Sequence, residues 1–170
     1  VNGLIACGCQ RSYFPTGFAY YVFARKQFDI SLSFEEILED YFSSAFGEDW
    51  RKFYDYLVKL EAAMKYRFCQ GKMSKNNSVS RYYNPDEVKL LERVPEVTAK
   101  GMELIKEHYN SDIRVQTVSV RLLEKHAEYC EGMAEVLIER AKGNLDLAME
   151  KYNEFRVKFG KHEVEIQSYY

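Results

Sequence analysis

A chain of 170 residues, 46% hydrophobic and 29% charged, is long enough to bury a core of its own and belongs with globular, not disordered, sequences. With 24 Lys and Arg against 26 Asp and Glu, the formal net charge is -2, so nothing draws the chain to nucleic acid, whose binding needs clustered cations. No apolar run approaches the roughly 18–20 residues that span a bilayer, which sets a membrane partner aside as well.

Residues 1–9, VNGLIACGC, read as one short strand. GLIAC is nearly continuous in apolar character, as strands covered on both faces are. A lone strand cannot satisfy its own donors and acceptors, and no later segment alternates with period two. Its partners are therefore expected outside this sequence, in a preceding domain. The competing reading is an extended arm lying on the rest of the chain.

From Thr16 onward the pattern is helical. Thr16 is the expected N-cap of a helix over about 17–27, with Phe18, Tyr21, Val22 and Phe28 on its apolar side. SFEE at 33–36 fits a capping box, Ser33 and Glu36 each satisfying the other's free backbone donor. The helix it opens should bury Phe34, Ile37, Leu38, Tyr41, Phe42 and Ala45 and stop at Gly47. A third helix is predicted over 48–70, with Trp50, Phe53, Leu57, Leu60 and Met64 forming one seam and Gly71 closing it.

GKMSKNNSVSR then reads as a polar loop, the most flexible stretch of the chain, near 71–84. Asn84 is the expected cap of a short helix with Pro85 at its first position and Asp86 and Glu87 in its first turn. Pro95 should divide that piece, ending near Glu92, from a second helix to about Tyr109. A long helix is predicted over 112–142, its buried stripe marked by Val115, Val118, Leu122, Tyr129, Met133 and Leu137. Gly143 ends it, Asn144 caps the next helix, and the short link makes the two an antiparallel hairpin. Leu145, Ala148, Met149, Tyr152 and Phe155 should line that last helix, to about Phe159. The fold class is all-α: a bundle of six to seven helices over 16–170 with one N-terminal strand-like arm.

The four cysteines, Cys7, Cys9, Cys69 and Cys130, suggest neither a disulfide framework nor a metal site. Cys7 and Cys9 would share one face of a strand roughly 6.5–7 Å apart, too far for an unstrained bridge. His108, His126 and His162 make no ligand-spaced pair with any of them. No metal or cofactor is called for, and the thiols are expected free and mostly buried. Glu35, Glu36, Glu39 and Asp40 could suggest an acid/base pair, but they fall in the first turns of a helix, where carboxylates offset the dipole. His126 is expected to be a hydrogen-bonded core or edge histidine, and His108 and His162 to sit near helix ends.

The order NGLIACGCQRSYFPTG, FAYYVFARKQFD and FEEILEDYFSSAFGEDWRKFYDYL resembles the C-terminal part of an uncharacterised bacterial family of glycoside-hydrolase-like proteins. That family is related to α/β-barrel enzymes of the α-glucuronidase and hexosaminidase kind. ILEDYFSSAFGEDW at 37–50 carries most of the likeness, which covers about the first 60–70 residues. The resemblance implies that residues 1–15 are the last strand and loop of a barrel, with the catalytic carboxylates on earlier strands outside this chain. Cys9, Gln10, Arg11 and Tyr13 would then lie at the mouth of the barrel, where Gln and Arg can hydrogen-bond a sugar and Tyr can stack on it. Ordinary loop, capping and wedge roles compete for each of these four.

The expectation is a helical accessory domain of a carbohydrate-active protein, not catalytic alone, whose partners are the preceding barrel and, through one loop, carbohydrate. The compartment stays open; the resemblance suggests a secreted or periplasmic parent. A self-contained helical module that binds another protein through its aromatic face is the alternative. A small helical enzyme with a site between helices is a third.

Overall fold

The computed structural model describes residues 14–167. The expected arm and the loop residues Cys9, Gln10, Arg11 and Tyr13 lie outside the described residues. Within them, seven helices of seven or more residues and two shorter turns of helix make an all-α bundle, with no strand among the described residues. In chain order these are α1 (Phe18–Phe28), α2 (Phe34–Phe46), α3 (Trp50–Ala63), the short α4 (Tyr66–Cys69), α5 (Pro85–Leu91), α6 (Val94–Glu107), α7 (Arg114–Lys142), α8 (Leu145–Phe159) and the short α9 (Glu163–Gln167).

Local chemistry sets several of these boundaries. At the start of α2 the Ser33 hydroxyl accepts the Glu36 N–H at 3.1 Å, while Glu36 Oε2 accepts the Ser33 N–H at 2.7 Å. That is the capping box the sequence predicts. Gly47 at φ 74 and Gly143 at φ 90 end α2 and α7 in backbone conformations that favour glycine. Pro95 sits in the first turn of α6, where its missing N–H has no partner to lose, and so separates α5 from α6.

The core is three clusters strung along α7, which packs against α2, α5, α6 and α8, while α3 crosses α6. The first gathers Phe42, Phe46, Phe53, Ile105, Val120 and Leu123. The second joins Tyr56, Leu60 and Val94 to Cys130 and Ala134, and the third joins Phe68 and Leu91 to Leu137 and Ala141. Much of the aromatic content enters a ladder of rings. Phe18 meets Phe42 at 5.1 Å, Phe42 stacks on Phe46 at 5.6 Å, and Phe46 stacks on Phe53 at 4.7 Å. Such pairs add about 0.5–1.5 kcal/mol each beyond the area they bury.

Four expectations are corrected. The third helix ends at Ala63, not at 70: Met64 leaves helical geometry at φ -121, ψ 71, and the turn carries Phe68 of α4 into the third cluster. Thr16 does not cap α1. Gly17 holds that position, and its N–H donates to the hydroxyl of Tyr41 on α2 at 2.8 Å. Asn84 and Asn144 occupy N-cap positions, but neither side chain caps its helix. Asn84 Nδ2 instead donates to the Met73 carbonyl at 2.6 Å, and Asn144 Nδ2 to Glu139 Oε2 at 2.8 Å. The buried seam of α7 runs through Val120, Leu122, Leu123, Ala127, Cys130, Ala134, Val136, Leu137 and Ala141, so that of the predicted stripe Leu122 and Leu137 are buried while Val115, Val118, Tyr129 and Met133 are not. Val115 is 52% exposed and Tyr129 37%. Small residues mark much of the seam because they let α5 and α6 approach closely, and a search for bulky side chains passes over them.

The polar loop is tied together by its backbone. Lys75 N–H donates to the Tyr83 carbonyl at 2.7 Å, and the Ser74 hydroxyl to the Ser80 carbonyl at 3.0 Å. Arg140 on α7 secures its lower end, donating to the carbonyls of Phe68 at 2.8 Å and Cys69 at 3.3 Å beneath the rings of Phe68 and Tyr82. A half-buried cation, with no carboxylate in ion-pair distance among the described residues, is thus held by the carbonyls at the end of α4 and by two ring faces. Burial lowers its pKa.

Candidate functional site

Of the residues singled out by the sequence, the acidic cluster of α2 and His126 lie near the entry to α1, whereas His108 and His162 stand at other helix ends. Of the described residues, Phe14 comes first: its ring meets His126 edge-on at 5.6 Å and Tyr129 at 6.4 Å, both on α7. The chain then turns into α1, pinned by Tyr41 at Gly17. One turn further on, the Tyr21 hydroxyl donates to Asp40 Oδ2 at 2.6 Å and accepts from Arg25 Nη1 at 2.6 Å, and Arg25 also pairs with Asp40. These contacts hold α1 against α2.

The chemistry of this region is that of a clamp. Asp40 lies below the usual carboxylate range because Tyr21 donates to it and Arg25 sits beside it, and the Tyr21 phenol is raised by the same carboxylate. Glu36 is lowered by the Ser33 N–H and hydroxyl. Both carboxylates are ionised at neutral pH, whereas a general acid needs a raised pKa. Glu35 and Glu39 are exposed on the same helix. The acidic cluster of α2 is therefore used for capping and for pairing with α1.

His126 and Cys130, one turn apart on α7, come within 3.4 Å through Nε2 and Sγ. Burial drives the imidazole down to about 4 and the thiol up to about 12, so both are neutral at pH 7. A nucleophilic pair needs the opposite: a thiolate beside a base or an imidazolium. Cys69 and Cys130 are both free thiols, as the sequence suggests. The other two histidines lie near helix ends as expected. His108, at the end of α6, bonds the Leu104 carbonyl through Nδ1 and Asp49 Oδ2 through Nε2, each at 3.0 Å. His162 pairs with Glu128 at 2.9 Å. Among the described residues no three His, Cys, Asp or Glu side chains converge as a metal site would require.

Sequence reading missed two features here. The Tyr41 hydroxyl as anchor of α1 has no sequence signature beyond an aromatic on an apolar stripe. The other is the state of α1 itself: five of its eleven residues are aromatic, yet none is buried. Phe28 is 92% exposed and Ile30, in the turn that follows, 86%. The chain matches no family model, no curated protein and no solved structure.

Proposed function

We propose that this chain is a helical accessory domain of a carbohydrate-active, barrel-type protein, buttressing the barrel and performing no catalysis by itself. The observation that carries this reading is α1. Phe18 and Tyr21 pack on α2, but Phe23 and Phe28 of the same helix form an apolar surface that the described bundle leaves exposed. A run of exposed apolar groups such as Phe23, Phe28, Ile30 and Phe34 marks an interaction surface more often than a free one. The resemblance at 37–50 supplies the occupant, a barrel preceding α1 in the same polypeptide. The paired and ionised carboxylates of α2 and the neutral His126–Cys130 pair agree with a supporting role.

The test is amide exchange across α1 in this chain and in the chain joined to whatever its gene encodes upstream. In the longer protein the amides of Phe18–Phe28 should gain protection, and aryl-glycoside hydrolysis should be found there and not in the isolated chain. Unchanged exchange, or a reading frame with no βα units upstream, would favour an interaction module whose α1 face binds a separate protein. Hydrolysis by the isolated chain, lost on changing one of its own carboxylates, would overturn both readings.

A further inference from the structure

Between α3 and α6 lies a groove of about 350 Å³. Its base is the buried ring of Tyr56 on one side, with Val97 and the bare backbone of Gly101 on the other. Its rim is basic, in a chain whose net charge is -2. Lys52 and Lys59 lie seven residues apart on α3, and Arg93 and Lys100 seven apart at the start of and along α6. Seven residues advance a helix by about 10.5 Å. The two helices run antiparallel, with Asp49 beside His108 and Tyr56 beside Gly101. In that register Lys59 and Lys100 stand almost level across the apolar base, with Arg93 on the α6 wall and Lys52 on the α3 wall each about 9 Å beyond them, at opposite ends of the groove.

The cations are not equally committed. Lys52 pairs with Asp49 at 2.9 Å, and Lys100 with Glu96 at 2.7 Å. No carboxylate lies within ion-pair distance of Lys59 or Arg93 among the described residues. Glu96 is the one acid lining the groove. Lys59 and Arg93 therefore carry the unpaired positive charge of the rim.

We infer that this groove binds an extended acidic segment of a partner protein, two carboxylates of which meet Lys59 on the α3 wall and Arg93 on the α6 wall while an apolar residue between them lies on Val97. An extended strand rises about 3.3 Å per residue and turns successive side chains to opposite sides, so carboxylates three apart face opposite walls about 10 Å apart along the groove, within reach of Lys59 and Arg93, whose levels differ by about 8 Å. The groove lies on α3 and α6, away from α1, and this inference does not rest on the accessory-domain reading.

The experiment is fluorescence anisotropy of a fluorescein-labelled Gly-Glu-Leu-Val-Glu-Gly peptide titrated with the full chain. Saturable binding is expected, weakening as NaCl rises from about 50 mM to about 500 mM, because an exposed basic rim is screened by salt. The K59E/R93E variant should bind roughly tenfold more weakly or not at all. Neither side chain has an ion pair to lose, so its circular dichroism should match the parent. R156E, on exposed α8, should leave binding unchanged. Failure to saturate, equal binding by K59E/R93E, or full competition by free glutarate at equal concentration would overturn the inference, the last reducing the groove to a site for small anions.

Discussion

The ring of Tyr56 on α3 lies against the backbone of Gly101 on α6 so closely that a Cβ at Gly101 would stand 2.2 Å from Cε2. The contact fixes how near the two helices come, and it lies at the base of the basic groove. Tyr56 is itself buried in the second core cluster and has no room to withdraw. Gly101→Ala should therefore cost about 1–3 kcal/mol despite alanine's better helix propensity. Gly160, whose Cβ would meet nothing within 4 Å, provides the contrast. Gly160→Ala should be neutral or stabilise by about 0.5 kcal/mol. Urea unfolding of the two variants distinguishes them, and equal midpoints would show that α3 and α6 can separate freely.

Removing the Ser33 hydroxyl takes away the acceptor for the Glu36 N–H and a donor to Glu36 Oε2. Ser33→Ala should cost about 1 kcal/mol, with little lost in Ser33→Thr, which keeps the hydroxyl. The Glu36 carboxyl should titrate higher in the alanine variant, because part of what lowers it is gone. Carbon-detected NMR titration reads that shift directly. An unmoved Glu36 would mean that the box contributes nothing in solution.

Acid should destabilise this protein through six carboxylates that the fold holds below their ordinary range, Asp29, Glu36, Asp40, Asp49, Glu96 and Glu139. Glu36, Asp40 and Asp49 all titrate below their ordinary values, Asp49 because Lys52 and His108 donate to it. The unfolded chain then binds protons that the folded chain does not. The contribution is complete above the ordinary carboxylate range near pH 4 and is lost as pH falls through the folded-state values. The urea midpoint should hold between about pH 6 and pH 5 and decline towards about pH 2.5, less steeply in Asp40→Asn, which already lacks one of these groups. A midpoint that rises on acidification would contradict the assignment.

Cys130 should be inert in the folded protein. With its thiol raised to about 12, only about one molecule in ten thousand carries the reactive thiolate at pH 8. Iodoacetamide followed by peptide mass spectrometry should leave Cys130 unmodified for hours and label it within minutes in urea. Native labelling as fast as that of a free cysteine would revive the His126–Cys130 pair as a reactive site.

The features legible in the sequence are those decided within a few residues. The Ser33–Glu36 box, the glycine stops at 47 and 143, the Pro95 division and the α7–α8 hairpin need only local backbone chemistry, and each stands where the sequence puts it. The candidate site was less legible. The four loop residues proposed for ligand contact lie outside the described residues, and the acidic cluster of α2 became readable only when Tyr21, Arg25 and Asp40 were seen together. Nothing in their spacing on two separate helices announces that contact.

Sequence by itself determined that the chain is helical and where most helices begin and end, because capping, glycine conformation and proline geometry act over one turn. Only the tertiary structure decided which faces are buried. The seam of α7 passes through Ala127, Ala134 and Ala141 because α5 and α6 pack closely there, and Phe23 and Phe28 of α1 stay exposed because they lie on the side of that helix turned away from α2 and the core. A side chain's burial depends on what lies across from it, and that neighbour is usually far away along the chain.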